Sequence, residues 1–319
     1  MSLSDTAGHT HEIRTERVHA NGLDFHVNTC GEGERFALCL HGFPEIGYTW
    51  RHQLPVLASL GYRVWAPDLR GFGQTDKPSG VKQYAVEHLV DDVAALIDAS
   101  GAAETLLLGH DWGVMLASQV AFHQVRPLER LVILNGAAMG MQTDTGFSLR
   151  ALRRMLYAVF FQLPFLPERA LAAGNYRAIR ESFTGPMTGR PGRITKEDVR
   201  VFQEAMARPG ALTGGINYYR AQIRGGGFRR LVARGFPRIE TPTLILWGED
   251  DPVLIPSTIG RAGEMIEDLT LRFLPGVGHW AQQEAPEEVN EMLTAWLTGK
   301  SVLGSSTLSP AAQARTENA

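Results

Sequence analysis

Leu106-Leu107-Leu108-Gly109-His110-Asp111-Trp112-Gly113-Val114-Met115-Leu116-Ala117 runs from one apolar stretch to another through a turn with a glycine on each side and an aspartate at its centre. The residues before Gly109 read as a buried strand and those after Gly113 as a helix, so Asp111 sits on a sharp strand-to-helix elbow. An elbow of this kind lifts its middle side chain clear of the sheet to serve as a nucleophile. A serine there makes acyl-enzymes from esters. A carboxylate is suited instead to displacing a leaving group from an alkyl carbon, which leaves an alkyl ester on the carboxylate itself. Epoxides and alkyl halides are the substrates that fit.

The chain of 319 residues is 44% hydrophobic, enough for one large domain or a domain carrying an insertion. Its net charge of -3 is small and mixed in sign, so no nucleic-acid or polyanion partner is expected. Cys30 and Cys39 are too few for a disulfide framework, and no Cys-x-x-Cys or His/Cys cluster reads as a metal site. No metal and no cofactor are expected. Residues 1–17 are polar and lack the apolar core of a signal peptide. No apolar stretch approaches the roughly 20 residues that span a bilayer. A cytoplasmic protein without a membrane partner is the expectation.

Strand-like runs bounded by Gly, Pro and Asp fall at residues 23–29, 36–41, 62–67, 105–110, 131–135, 243–247 and 270–274. Helical patterns such as 85–99 and 111–124 lie between them, which predicts an α/β fold with a mostly parallel central sheet flanked by helices. The alternation stops between Gly136 and Gly235, where amphipathic patterns at 149–162 and 195–206 predict an inserted helical cap. Its Gly- and Arg-rich exit, Arg224 to Arg230, reads as a surface connection with solvated charges. The expected organisation is a core of residues 1–136 and 236–299, a cap of 137–235 and a flexible tail of 300–319.

Two further loops match the elbow. His41-Gly42-Phe43-Pro44 closes the strand at 36–40, where this kind of sheet aims backbone N–H groups at an oxyanion. Trp247-Gly248-Glu249-Asp250-Asp251-Pro252 places three acids at the carboxyl end of a late strand, the edge where ligand sites of open α/β sheets lie. Gly276-Val277-Gly278-His279-Trp280 follows the next strand, and His279 is the histidine in the chain that fits a catalytic base. Side-chain chemistry alone does not choose among Glu249, Asp250 and Asp251 as its partner.

These loops, together with Asp68-Leu69-Arg70-Gly71-Phe72-Gly73, resemble the motif set of α/β-hydrolase-fold epoxide hydrolases, spread over most of the chain. Haloalkane and haloacetate dehalogenases share nearly all of it. The resemblance implies the α/β-hydrolase fold, Asp111 as nucleophile, His279 as base, Asp251 as the acid that orients it, and the backbone N–H groups of Phe43 and Trp112 as oxyanion hole. Some relatives carry the acid after the strand that follows the elbow helix. This chain has Asn135 there, an amide that cannot offset an imidazolium.

The leaving group separates the two activities. Halide departs as a stable anion, whereas an epoxide oxygen departs as a strongly basic alkoxide unless an acid protonates it. In the resembled family that acid is a pair of cap tyrosines. Gly214-Gly215-Ile216-Asn217-Tyr218-Tyr219-Arg220 is similar to the family's Asn-x-Tyr-Arg motif and carries the role to Tyr219; Tyr157, ahead of Phe160-Phe161-Gln162, matches the second. Adjacent helical residues project about 100° apart, so Tyr218 and Tyr219 cannot both face the site. An epoxide hydrolase making vicinal diols through an aspartyl ester is therefore expected, with a dehalogenase on Asp111, Asp251 and His279 as the alternative. Apolar cap residues such as Met155, Phe160, Phe161, Leu163 and Phe165 point to a small apolar epoxide, with water as co-substrate. Monomer and homodimer both remain open.

Overall fold

The computed structural model describes residues 11–142 and 156–309, so Met155 and the first half of the 149–162 pattern lie outside the described residues. Eight strands form one sheet, in the order β1-β2-β4-β3-β5-β6-β7-β8: β1 (Arg14–Ala20), β2 (Leu23–Cys30), β3 (Arg35–Leu40), β4 (Tyr62–Pro67), β5 (Thr105–His110), β6 (Leu128–Leu134), β7 (Thr243–Gly248) and β8 (Leu269–Leu274). β2 pairs antiparallel with β1 and β4, and all remaining pairs are parallel. Every residue of β5 and β7 is buried, as expected of strands covered on both faces. This is the α/β-hydrolase fold.

β1 has no counterpart among the predicted runs. It is an edge strand whose first four residues are exposed, so it carries charge where an inner strand carries Val or Leu. Its one clear signal is Asn21-Gly22, both at positive φ, which turns the chain back into β2.

Helices α1 (Leu54–Ser59), α2 (Val86–Ser100) and α3 (Trp112–Phe122) connect the early strands, and every residue of α3 is buried. The described part of the inserted segment is helical: residues 156–160, α4 (Leu166–Thr184), α5 (Lys196–Ala207), α6 (Ala211–Ile223) and α7 (Gly227–Arg234). α4 is broken at Ala173–Tyr176, where Gly174, Asn175 and Tyr176 take left-handed conformations in succession. α5 starts on a reciprocal cap in which Thr195 Oγ1 accepts from Asp198 N and the Asp198 carboxylate accepts from Thr195 N.

The 224–230 connection lies on the surface with Arg224, Arg229 and Arg230 exposed, as expected; its second half is helical from Gly227, and Arg230 pairs with Glu87 at 2.6 Å. One expectation needs correction. The described part of the tail, 300–309, is tied to the sheet. Val302 is buried, Arg272 Nε donates to Val302 O at 3.0 Å, Phe273 bridges Ser305, and Ser309 donates to the Glu249 carboxylate. Polar composition alone does not reveal such backbone pairing.

The chain continues from β8 through α8 (Ala281–Glu284) to α9 (Pro286–Leu297), which covers one face of the sheet. Among the described residues no helix is long and apolar enough to cross a membrane.

Candidate active site

Asp111 precedes α3 with φ +50° and ψ -114°, a backbone region that L-residues seldom occupy. The flanking glycines make the turn possible. A Cβ on Gly113 would lie 2.1 Å from Leu40 O, and one on Gly109 would lie 2.7 Å from the Gly113 carbonyl carbon. The turn leaves the Asp111 side chain 15% exposed in an otherwise closed site.

One carboxylate oxygen, Oδ1, accepts a hydrogen bond from Phe43 N at 3.0 Å. The other, Oδ2, faces His279 Nε2 at 3.6 Å, an ion-pair contact too long for a hydrogen bond. Trp112 N–H heads α3 and has no intrahelical acceptor, so it lies at the same positive helix end as the Asp111 side chain.

His279 Nδ1 contacts Asp251 Oδ2 at 2.8 Å. Asp251 Oδ1 accepts from the N–H groups of Val253 at 2.8 Å and Leu254 at 2.9 Å. Of the three acids in the loop, Asp251 is the one at the imidazole; Glu249 accepts from Ser309 instead. The structure thus brings Asp111, His279 and Asp251 into one line at the carboxyl ends of β5, β7 and β8.

Burial opposes ionisation of all three, yet their mutual attraction prevails. Asp251 and Asp111 are held below the ordinary carboxylate range, mainly by the His279 imidazolium, and His279 is held well above its ordinary value by the two carboxylates.

Tyr219 is 8% exposed and Tyr157 is 41% exposed, and both line a cavity of about 140 Å³ that reaches Asp111 and His279. Their rings meet edge to face with centroids 5.6 Å apart. Burial, reinforced by the Asp111 charge, raises both phenols, so both stay protonated at neutral pH. Tyr218 turns away, fully buried, and donates its hydroxyl to Arg70 O at 3.0 Å. That bond seats α6 on the loop from Asp68 to Gly73. Arg220 anchors the same helix to the early cap by donating to Phe161 O, Leu163 O and the Glu168 carboxylate. Apart from Ser182 the remaining wall is apolar, with Leu171, Ala178, Ile179, Met187 and Val253 among its residues.

Three contributors were not singled out from sequence. Asn135, considered only as a missing acid, donates to Asp251 Oδ2 at 2.9 Å, accepts from Gly248 N at 2.8 Å, and its carbonyl accepts from Asp111 N at 3.2 Å. Its position at the end of the strand beside the elbow was the available signal. Asn135→Ala is expected to cost about 1–3 kcal/mol of stability by leaving the buried Gly248 N–H unpaired, checked by denaturant unfolding. His110 and Glu45 form a fully buried pair at 2.7 Å beneath the elbow, and His110 Nε2 donates to His279 O at 2.9 Å. Burial works against the Glu45 charge, but the contact with His110 holds its carboxyl below the usual range.

Among the described residues no group of three or more His, Cys, Asp or Glu side chains is arranged to hold a metal ion.

Residues 38–286 match the α/β hydrolase fold family. The chain is 34% identical over 296 residues to epoxide hydrolase 3 of Mus musculus, covering 90% of this chain and 77% of that protein. It is 35% identical over 289 residues to epoxide hydrolase 4 of Mus musculus, covering 88% and 78%. The crystal structure of epoxide hydrolase VrEH1 from Vigna radiata superposes with a TM-score of 0.77 at 29% identity, covering 90% of this chain and 98% of that one.

Proposed function

The chain belongs to the epoxide hydrolases of the α/β-hydrolase fold, and on that premise we propose that it converts small apolar epoxides to vicinal diols through an ester on Asp111. The observation that carries this reading is the placement of Tyr157 and Tyr219 in the cavity that contains Asp111. A halide needs no proton to leave; an epoxide oxygen does.

Phe43 N–H occupies Oδ1, which assigns the attack to Oδ2. Oδ2 forms a bond to the less hindered ring carbon as the carbon–oxygen bond breaks, and a cap tyrosine passes its proton to the departing oxygen. The product is a hydroxyalkyl ester whose carbonyl oxygen, Oδ1, already lies at the Phe43 N–H.

Esterification also prepares the second step. It removes the Asp111 charge, one of the two that hold His279 protonated, so the imidazole becomes easier to deprotonate. Its proton passes to the tyrosinate left by the first step, and neutral His279, kept in register by Asp251, then takes a proton from water. The resulting hydroxide attacks the ester carbonyl carbon and the N–H groups of Phe43 and Trp112 hold the oxyanion; on collapse the proton of the added hydroxyl passes to Oδ2, which leaves with the diol, and Asp111 is again a carboxylate facing the His279 imidazolium. No step requires a metal or cofactor.

Since the diol leaves with Oδ2, the oxygen of water stays behind on Asp111. A single turnover in heavy-oxygen water with enzyme in excess is expected to label the Asp111 side chain and not the diol. Label found in the diol would overturn the covalent route.

A further inference from the structure

The fully buried carboxylate of Glu284 accepts four backbone hydrogen bonds from two separate segments. Oε2 takes Gly189 N at 2.7 Å and Arg190 N at 2.9 Å from the cap, and Gly278 N at 3.0 Å from the loop that carries His279. Oε1 takes Trp280 N at 3.0 Å. His279's own N–H donates to Met187 O of the cap at 2.9 Å. Three consecutive N–H groups, those of Gly278, His279 and Trp280, are therefore fixed by Glu284 and by the cap. The backbones meet without side chains between them: a Cβ on Gly189 would lie 2.6 Å from Gly278 N. Trp280 adds a second link, donating Nε1 to Ser182 O at 2.9 Å. Both Ser182 and Met187 line the substrate cavity.

Nothing in the sheet requires this. The loop after β8 could end its strand without the cap, yet the backbone around the imidazole is tied to the cap through a single carboxylate, on α8, that accepts four N–H groups. We infer that Glu284 is a positioning residue for His279: it clasps the cap segment at 187–190 to the histidine loop, so that the wall contacting substrate and the base acting on the ester move as one piece. This rests on the two-step reading above, in which His279 acts only on the ester. Loss of the clasp then slows ester hydrolysis and spares alkylation, in which His279 does no proton transfer.

Glu284→Gln tests it. The amide keeps one acceptor oxygen and turns an NH₂ toward N–H donors, which loosens the loop while leaving the identity of every side chain that lines the cavity unchanged. In a stopped-flow experiment with an epoxide in excess, the burst amplitude counts folded, competent sites, so a rate per burst site is independent of any unfolded fraction. The expected result is hydrolysis slowed about 10- to 100-fold per site with the alkylation rate unchanged, in line with the penalty for a small misplacement of a catalytic group. Glu284→Asp, which retains the acceptors on a shorter arm, is expected to recover part of the loss. Gly189→Ala leaves Glu284 in place but forces the two backbones apart, and the same selective slowing is expected.

A purely structural role would lower the burst amplitude or the melting temperature and leave the rate per site untouched. That result, or equal slowing of both steps, would overturn the inference while leaving the two-step reading intact. If no ester is trapped in Glu284→Gln, and none in wild type or His279→Gln, the two-step reading fails and takes this inference with it.

Discussion

His279→Gln is expected to stop after the first step, with the alkylation burst preserved and steady-state turnover reduced about 10²–10⁴-fold, the range associated with loss of a general base. Intact-protein mass spectrometry should then find the enzyme heavier by one substrate. The expectation follows from geometry: Nε2 faces Oδ2 of Asp111 at 3.6 Å, on the side from which water would reach the ester, while attack on the epoxide uses no proton from the imidazole. The same charges set the pH dependence. In the free enzyme Asp251 and Asp111 together hold His279 well above its ordinary value, whereas the ester leaves Asp251 alone. Hydrolysis in wild type should therefore rise with pH through a lower midpoint than the one His279 shows by NMR in the free enzyme. An unmodified, fully active His279→Gln enzyme would remove His279 from the mechanism.

The double variant Tyr157→Phe with Tyr219→Phe is expected to lose the other half of the reaction. Alkylation by an epoxide should fall about 10²–10⁴-fold and no ester should accumulate, because an unprotonated alkoxide is too poor a leaving group. Each single variant should retain part of the rate, since either phenol can reach the shared cavity. Both hydroxyls are kept protonated by burial and by the nearby carboxylate charge, so the removed group is a proton donor at neutral pH. The readout is the pre-steady-state burst on styrene oxide. A double variant as fast as wild type, together with halide release from a chloroalkane panel, would move the reading to dehalogenation on the same Asp111, Asp251 and His279.

Much of the sheet was legible because buried parallel strands are nearly continuous apolar runs; β5 and β7 are visible in the sequence as such. β1 was not, because an exposed edge strand is polar and its pairing is made by backbone groups that composition does not describe. The docked segment at 300–309 escaped for the same reason. In the site, the elbow and the histidine loop announced themselves through glycines that a sharp turn demands. Asn135, Glu45 and Glu284 did not: each is an ordinary polar residue whose significance is its hydrogen-bond partners, and the longest of those links span 116, 238 and 95 residues respectively.

The sequence by itself pointed to the type of chemistry proposed, since an aspartate on a strand-to-helix elbow suits displacement at alkyl carbon, and it determined that one of Tyr218 and Tyr219 must turn away, because helical geometry separates neighbours by about 100°. Only the tertiary structure decided which oxygen of Asp111 is free, which acid stands at His279, and that the cap holds the histidine loop as well as covering the cavity. Those are facts about distances between segments far apart in the chain, and a linear pattern contains no distances.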